Sequence, residues 1–133
     1  MSQGPAISTQ PYQTGRFVPR NSDAAAYDFT LANFTIDTAW HDLDLSAIVP
    51  AGAIAVLVQW GVRNSTNADI AVALRRNGMT NTIEIVYGRS IAVNVISPYN
   101  LMVPCDANRV IEYRITNVGT WDYLSMIVTG WWI

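Results

Sequence analysis

The residues that could carry out chemistry in this chain are few, and the first group surrounds its single histidine. His41 is followed by Asp42 and Asp44. In a strand the two carboxylates would lie on one face about 7 Å apart, while His41 would share the other face with Leu43. A glycosidase needs two carboxyl groups across a cleft, and a catalytic triad needs a nucleophile beside its histidine. The pattern therefore predicts no catalytic residue and no enzyme activity.

Metal binding is not indicated by the sequence either. Asp42 and Asp44 could join Asp106 or Asp122 in a calcium site, but such a site needs about six oxygen ligands, which the sequence does not supply. The lone cysteine, Cys105, excludes an internal disulfide and any multi-cysteine metal site, and should pack as a small hydrophobic residue. We therefore predict no metal and no cofactor, and interpret the two aspartates as solvated strand carboxylates.

Tryptophan side chains are the candidates for ligand contact. The chain has five of them, enough to supply a platform on which sugar rings could stack. Trp40 and Trp121 each stand next to or near an aspartate, so the candidate glycan contacts are Trp40, Asp42 and Trp121. Trp131 and Trp132 would point to opposite faces of a strand, so only one of them could join a given platform.

The composition favours a surface that contacts other proteins. Half of the 133 residues are hydrophobic and only 14% are charged, against roughly 25% in an average soluble domain. All eight basic residues are arginine, which is enriched at protein interfaces, whereas lysine is depleted there. A codon bias of the whole organism would also remove lysine. The net charge of −2 argues against nucleic-acid binding, which usually needs a basic stripe.

No targeting or membrane-spanning segment is predicted. The sequence has no run of about eighteen apolar residues, the length that a spanning helix requires. Residues 1–5 (MSQGP) lack the charged and apolar regions of a signal peptide. We therefore expect synthesis in a cytoplasm and no membrane partner.

The remaining pattern is one of strands. From Tyr27 onward, short apolar runs alternate with turn signals at intervals of roughly ten residues, and no helical period is present. The predicted strands are residues 27–35, 38–46, 53–63, 69–75, 82–87, 91–96, 101–105, 109–116 and 121–133. This predicts an all-β domain over residues 27–133, an antiparallel jelly-roll-like β-sandwich of about eight strands. Its N- and C-terminal strands would be neighbours in one sheet.

Residues 1–26 are predicted to form an extended N-terminal arm. Three prolines, Pro5, Pro11 and Pro19, interrupt the segment, and no apolar period is present in it. Such a segment is either disordered or lies extended across another subunit. The residues that could anchor it to a partner are Tyr12, Arg16, Phe17 and Arg20.

The last predicted strand, residues 121–133, is apolar on both faces. Alternation places Leu124, Met126, Val128 and Trp132 on one face and Tyr123, Ile127 and Trp131 on the other. A single core covers only one face, so the other face needs a partner. The predicted oligomer-interface residues are Tyr123, Ile127, Trp131, Trp132 and Ile133.

Several motifs, taken in order, resemble a small β-sandwich domain of tailed bacteriophages. They are residues 40–46 (WHDLDLS), 48–53 (IVPAGA), 74–78 (LRRNG), 106–113 (DANRVIEY) and 130–132 (GWW). Over residues 38–133 the chain is similar to jelly-roll modules that serve as head decoration (cement) proteins or as tips of tail fibres. The resemblance implies a homotrimer on a virion and no catalytic residue.

The layout of the chain favours the first of these phage roles. A tail-fibre tip follows a long trimerising shaft, whereas here only a short proline-rich arm precedes the module. We expect a trimeric decoration protein on the capsid surface that bridges subunits of the major capsid protein and stabilises the head. The alternatives are a host-receptor, glycan-binding tip of a tail fibre and a small lectin unrelated to viruses.

Removing Trp131, Trp132 and Ile133 is expected to abolish the trimer or the fold, because aromatic side chains supply most of the stability of an interface. Sedimentation velocity would measure the oligomeric state, and circular dichroism the folding. A truncated chain that remains a folded trimer would contradict the predicted role of these residues.

Overall fold

The computed structural model describes residues 15–133, so Tyr12 and most of the predicted arm lie outside the described residues. The described part contains nine strands and a short 3-10 helix, Leu31–Asn33. The strands are β1 (Phe17–Pro19), β2 (Phe29–Thr30), β3 (His41–Asp44), β4 (Ala55–Asn64), β5 (Ala71–Arg76), β6 (Val86–Arg89), β7 (Ser97–Pro104), β8 (Val110–Ile115) and β9 (Trp121–Trp132).

The strands form two antiparallel sheets packed as a sandwich. The five-stranded sheet has the order β1-β9-β4-β7, with β2 also paired to β9, and the four-stranded sheet has the order β3-β8-β5-β6. The pairing is nested along the chain, because β2 pairs with β9, β3 with β8, β4 with β7 and β5 with β6. The predicted all-β antiparallel sandwich is confirmed, as is the pairing of N- and C-terminal strands.

The core lies between the two sheets and follows the predicted alternation. β4 supplies Val56, Val58, Trp60 and Val62, and the facing sheet supplies Val72, Leu74, Ile111 and Ile115, all fully buried. Cys105 packs among these side chains as expected, with its thiol donating to the Ala53 carbonyl oxygen. Burial raises the pKa of this thiol, so it stays protonated.

Strand β9 contains a β-bulge near its end. Val128 pairs with Val58, but the next position on β4, Leu57, pairs with Gly130, so Thr129 is an extra residue on β9. Such an insertion reverses which side of the strand the following residues occupy. The two faces of β9 are therefore exchanged beyond Thr129.

The bulge corrects the predicted placement of the terminal tryptophans. Trp131 points into the core and is only 9% exposed, whereas Trp132 lies on the outer side of the sheet opposite Ala55. Strict alternation had predicted the reverse and was wrong for these two residues. Trp131 is therefore a core residue in this chain rather than a subunit contact, and removing residues 131–133 would open the core itself.

Part of the predicted arm belongs to the sandwich. Phe17 pairs with Trp132 in β1, and the backbone of Arg16 exchanges two hydrogen bonds with Ile133, at 2.9 and 3.0 Å. The Arg20 guanidinium donates to the Asp28 carboxylate at 2.7 Å. Phe17 and Arg20, predicted as capsid anchors, thus contact their own chain. The reason is that the edge of β9 offers β1 backbone partners within the same molecule.

Three further strand predictions differ from the structure. Of residues 82–87, only the last two belong to a strand, β6 (Val86–Arg89). Residues 91–96 form a loop, because Asn94 has a positive φ of 62° and the Ser97 hydroxyl accepts the Ile91 N–H at 3.0 Å. Of residues 27–35, only Phe29–Thr30 is a strand. In contrast, the edge position predicted from Pro104 is confirmed, since β7 is an edge strand of the five-stranded sheet.

Replacing Gly130 with alanine is expected to release β1 from the sheet. The new Cβ would overlap the Phe17 ring and lie 2.8 Å from the Val18 carbonyl oxygen. Overpacking of this kind costs about 1–3 kcal/mol. Hydrogen exchange should therefore accelerate at the amides of Arg16 and Val18, which face β9, while that of β5 is unchanged. Unchanged protection at Val18 would contradict this account of β1.

Candidate interaction surface

The outer face of the five-stranded sheet is the candidate functional surface. Its larger side chains, set by the strand register, are Phe17, Leu57, Met102, Tyr123, Ile127 and Trp132. Between them lie small or neutral residues such as Gly61, Gln59 and Asn100. Charge appears at the rim, where Arg63 pairs with Asp122 at 3.0 Å. An uncharged sheet face of this kind is typical of a surface that binds a partner.

One end of the outer face, which we name the terminal patch, is apolar. It comprises Phe17, Leu57, Met102 and Trp132 on the outer face, with Ile54 and Ile133 beside them at the ends of their strands. The rings of Phe17 and Trp132 are 4.8 Å apart, and the Ile54 N–H donates to the Trp132 carbonyl oxygen at 2.8 Å. Met102 is 53% exposed and Ile54 is 61% exposed, so the patch presents hydrophobic surface to solvent.

The other end of the outer face contains a depression of about 130 Å³ between two tyrosines. The hydroxyl oxygens of Tyr27 and Tyr123 are 3.2 Å apart and share a hydrogen bond. Gly61 lies on β4 among the lining residues, where a Cβ would stand 3.1 Å from Ser125 Oγ and 3.2 Å from the Tyr123 ring. The missing side chain therefore keeps this depression open.

A second depression of about 490 Å³ adjoins the first. It is lined by residues 24–26, Thr30 and Ile127, and it shares Tyr27 with the smaller depression. We name the two together the tyrosine groove. The hydrogen bond to Tyr123 raises the pKa of Tyr27, and hydrogen bonds to Ser125 and Tyr27 lower the pKa of Tyr123.

Apart from Trp131, which lies in the core, the predicted oligomer-interface residues are divided between these two places. Tyr123 and Ile127 line the tyrosine groove, whereas Trp132 and Ile133 belong to the terminal patch. The span from Tyr123 to Trp132 along β9 is about 30 Å at the usual strand rise. The outer face thus offers two separate surfaces where the sequence suggested one.

The predicted glycan contacts are not brought together. Trp121 is only 6% exposed, and its indole N–H donates to the Thr116 carbonyl oxygen at 2.8 Å. Asn64 pairs with Trp121 while Arg63 pairs with Tyr123, so a second bulge at Asp122 turns this ring inward. Burial removes Trp121 from the predicted platform.

Trp40 lies near the outer side of the other sheet, where guanidinium groups cover it. The guanidinium carbon of Arg75 is 3.9 Å from the Trp40 ring centroid, and that of Arg114 is 4.8 Å from it. Arg75 is also paired with Glu112 at 2.5 Å, and Glu112 accepts the Gly78 N–H at 3.1 Å. The ring therefore shields a largely buried ion pair, and this occupies the stacking surface predicted for a sugar.

The acidic residues around His41 cap turns. Asp37 Oδ1 is 2.8 Å from His41 Nε2, and this hydrogen bond holds the pKa of Asp37 below its usual value. Asp44 accepts the Ser46 N–H at 2.9 Å, which likewise lowers its pKa. In the strand register, Asp42 lies opposite Glu112 of β8. Within residues 15–133, no group of three or more acidic, histidine or cysteine side chains could hold a metal ion.

The tyrosine groove was missed by the sequence interpretation. A glycine within a long apolar strand, as at Gly61, does signal a close approach by other groups. Tyr27, however, is distant in sequence from Tyr123, and only the pairing of β2 with β9 brings them together. No spacing rule within the chain would have joined them.

Comparisons with protein-family models, with curated proteins and with solved structures found no match. In the described part of the chain, no helix has the length and apolarity needed to cross a bilayer.

Replacing Trp40 with alanine is expected to lower the free energy of unfolding by about 2 kcal/mol, since the Arg75–Glu112 pair would lose its cover and its cation–π contact. Urea unfolding would measure the change. Ile83→Ala is the control, because Ile83 is 86% exposed and should change stability by less than about 0.5 kcal/mol. Equal stability of the two variants would contradict a structural role for Trp40.

Proposed function

We propose that this chain is a structural protein of a virus particle, a homotrimer that decorates the capsid surface of a phage head. The observation that carries the proposal is the terminal patch. It exposes Met102 and Phe17 on the outer face of the sheet, at the end away from the Arg63–Asp122 ion pair. In an isolated small domain such a surface would stay exposed to water, whereas copies of the same chain can cover it for one another.

The topology supports the phage resemblance at the level of the fold. Nested strand pairing across two sheets is what a jelly roll requires, and this pairing supports the resemblance. The motifs behind the resemblance include turn-forming residues. Gly52 and Gly78 have positive φ angles of 93° and 86°, and Asp106 accepts the backbone N–H of Val110 at 2.9 Å. These residues specify strand connections and imply no catalytic function.

Mass action gives the proposed role its physical basis. A protein that binds the assembled shell better than free capsid subunits stabilises the shell. Three linked contacts in a trimer give avidity even where each contact with the major capsid protein is modest. Phe17, Arg20 and the backbone of Arg16 are engaged within their own chain, so the proposed anchors of this contact are the Arg16 side chain and Tyr12, which lies outside the described residues.

A host-receptor role on a tail fibre is the second candidate function. The observation that favours it is the tyrosine groove, a concave site lined by aromatic and hydroxyl groups. The originally predicted contacts, Trp40 and Trp121, do not support it, because one ring is covered by arginines and the other is buried.

Placing a charge in the terminal patch is expected to dissociate the trimer. Met102→Arg would bury an unpaired guanidinium at the subunit contact, at a cost of several kcal/mol. Sedimentation velocity at micromolar concentration should then give a trimer for the unmodified protein and a monomer for the variant. The same variant should no longer cosediment with expanded capsids that lack the protein.

Ile83→Arg provides the matched control, since Ile83 is equally apolar and even more exposed but lies outside the outer face. This variant should remain trimeric and bind capsids. A monomeric unmodified protein, or a trimeric Met102→Arg variant, would contradict the assignment of the terminal patch. A trimer that fails to bind any capsid would instead contradict the decoration role.

A further inference from the structure

We propose that the tyrosine groove binds a neutral carbohydrate, with part of one sugar ring in the smaller depression and the rest of the ligand in the larger one. This site was not among the glycan contacts suggested by the sequence. It goes beyond the capsid role and does not depend on it, because the groove and the terminal patch lie at opposite ends of the outer face.

The absence of charge along the groove specifies a neutral ligand. Neither depression has a charged residue in its lining. The nearest cation, Arg63, is paired with Asp122 at 3.0 Å while its guanidinium lies 5.7 Å from the Tyr123 ring centroid. An anionic or cationic group in the groove would lose water without gaining an ionic partner, which is costly.

The polar groups of the groove match a polyhydroxyl ligand. The hydroxyls of Tyr27, Tyr123 and Ser125 and the amide of Gln59 are among its lining residues. Each hydroxyl can both donate and accept a hydrogen bond, as sugar hydroxyls do. A proline-rich peptide, the other ligand that tyrosine-lined grooves accept, offers only carbonyl acceptors, so it would pair with the donors of these groups and leave their acceptors without a partner. The chemistry therefore favours a sugar over a proline-rich peptide.

Aromatic surface supplies the apolar part of the recognition. Tyr27 is 49% exposed and stands where the two depressions meet. Ile96 and Pro98 line the smaller depression together with Tyr123. The C–H face of a sugar ring would pack on these side chains while its hydroxyl groups reach the polar ones. Such a combination binds a ring in one orientation.

The dimensions agree with a short oligosaccharide. A volume of 130 Å³ corresponds to about four water molecules in the liquid, enough for part of one ring. The adjoining 490 Å³ can take further units. Gly61 controls access to the smaller space, because any side chain there would contact Ser125 and Tyr123.

The test uses the full chain and a panel of neutral trisaccharides, namely maltotriose, cellotriose and chitotriose, with sialic acid and hexaproline as comparison ligands. Ligand-observed NMR and calorimetry should detect at least one neutral trisaccharide with a Kd on the order of 1 mM. Sialic acid and hexaproline should bind at least about tenfold more weakly than that trisaccharide.

Three variants locate the binding. Gly61→Ala should weaken it about tenfold, and Tyr27→Phe and Tyr123→Phe should each weaken it about fivefold through a lost hydrogen bond. Tyr87→Phe is the matched control, because Tyr87 is 44% exposed but lies on the other sheet, and it should bind normally. The two phenylalanine variants keep the test valid if Gly61→Ala does not fold.

Three results would overturn the proposal. The first is no binding of any of the three trisaccharides at about 20 mM, well above the expected Kd. The second is binding that both phenylalanine variants retain. The third is preferential binding of hexaproline, which would make the groove a peptide site. None of these results bears on whether the chain forms trimers, so this proposal and the capsid role can fail separately.

Discussion

The pairing of β4 with β9 is the interaction on which the rest of the structure depends. These two long strands lie at the centre of the five-stranded sheet, and every other strand of that sheet pairs with one of them. Their inner side chains, including Trp60 and Met126, are fully buried. Their outer side chains are also uncharged along most of the sheet. The second sheet covers the inner face of this sheet within the monomer. The outer face stays available for partners.

Alternation predicted the strands well and failed where the backbone departs from it. β4, β5 and β8 were anticipated almost to their ends, because large apolar residues recur in each at intervals of two. The bulges at Asp122 and Thr129 each add one residue to β9, and no side-chain signal in the sequence marks them. Trp121 and Trp131 were therefore assigned to the surface, although both lie in the core. Sites made by distant residues, such as Tyr27 with Tyr123, need the register itself.

The arginines of this chain show why lysine would not replace them. Arg75 stacks on Trp40 and at the same time bonds Glu112, and Arg63 lies near the Tyr123 ring while it pairs with Asp122. A planar guanidinium can stack and donate in its plane simultaneously, whereas an ammonium group is a point charge with no face to stack. The lack of lysine, interpreted from composition as an interface signal, thus also has a role inside the monomer. Arg75 links β5 to β8, and Arg63 links β4 to β9.

The nested strand order has a consequence for how the chain reaches its folded state. β9 follows every other strand in the sequence, yet it occupies the middle of its sheet, between β1 and β4. During synthesis, the edge of β4 that pairs with β9 therefore stays unpaired until about seventy further residues have been made. A growing chain in that condition is vulnerable to aggregation, and closure of the sandwich is the final event rather than an early one. Folding speed, more than final stability, should then limit how much of this protein a cell can accumulate.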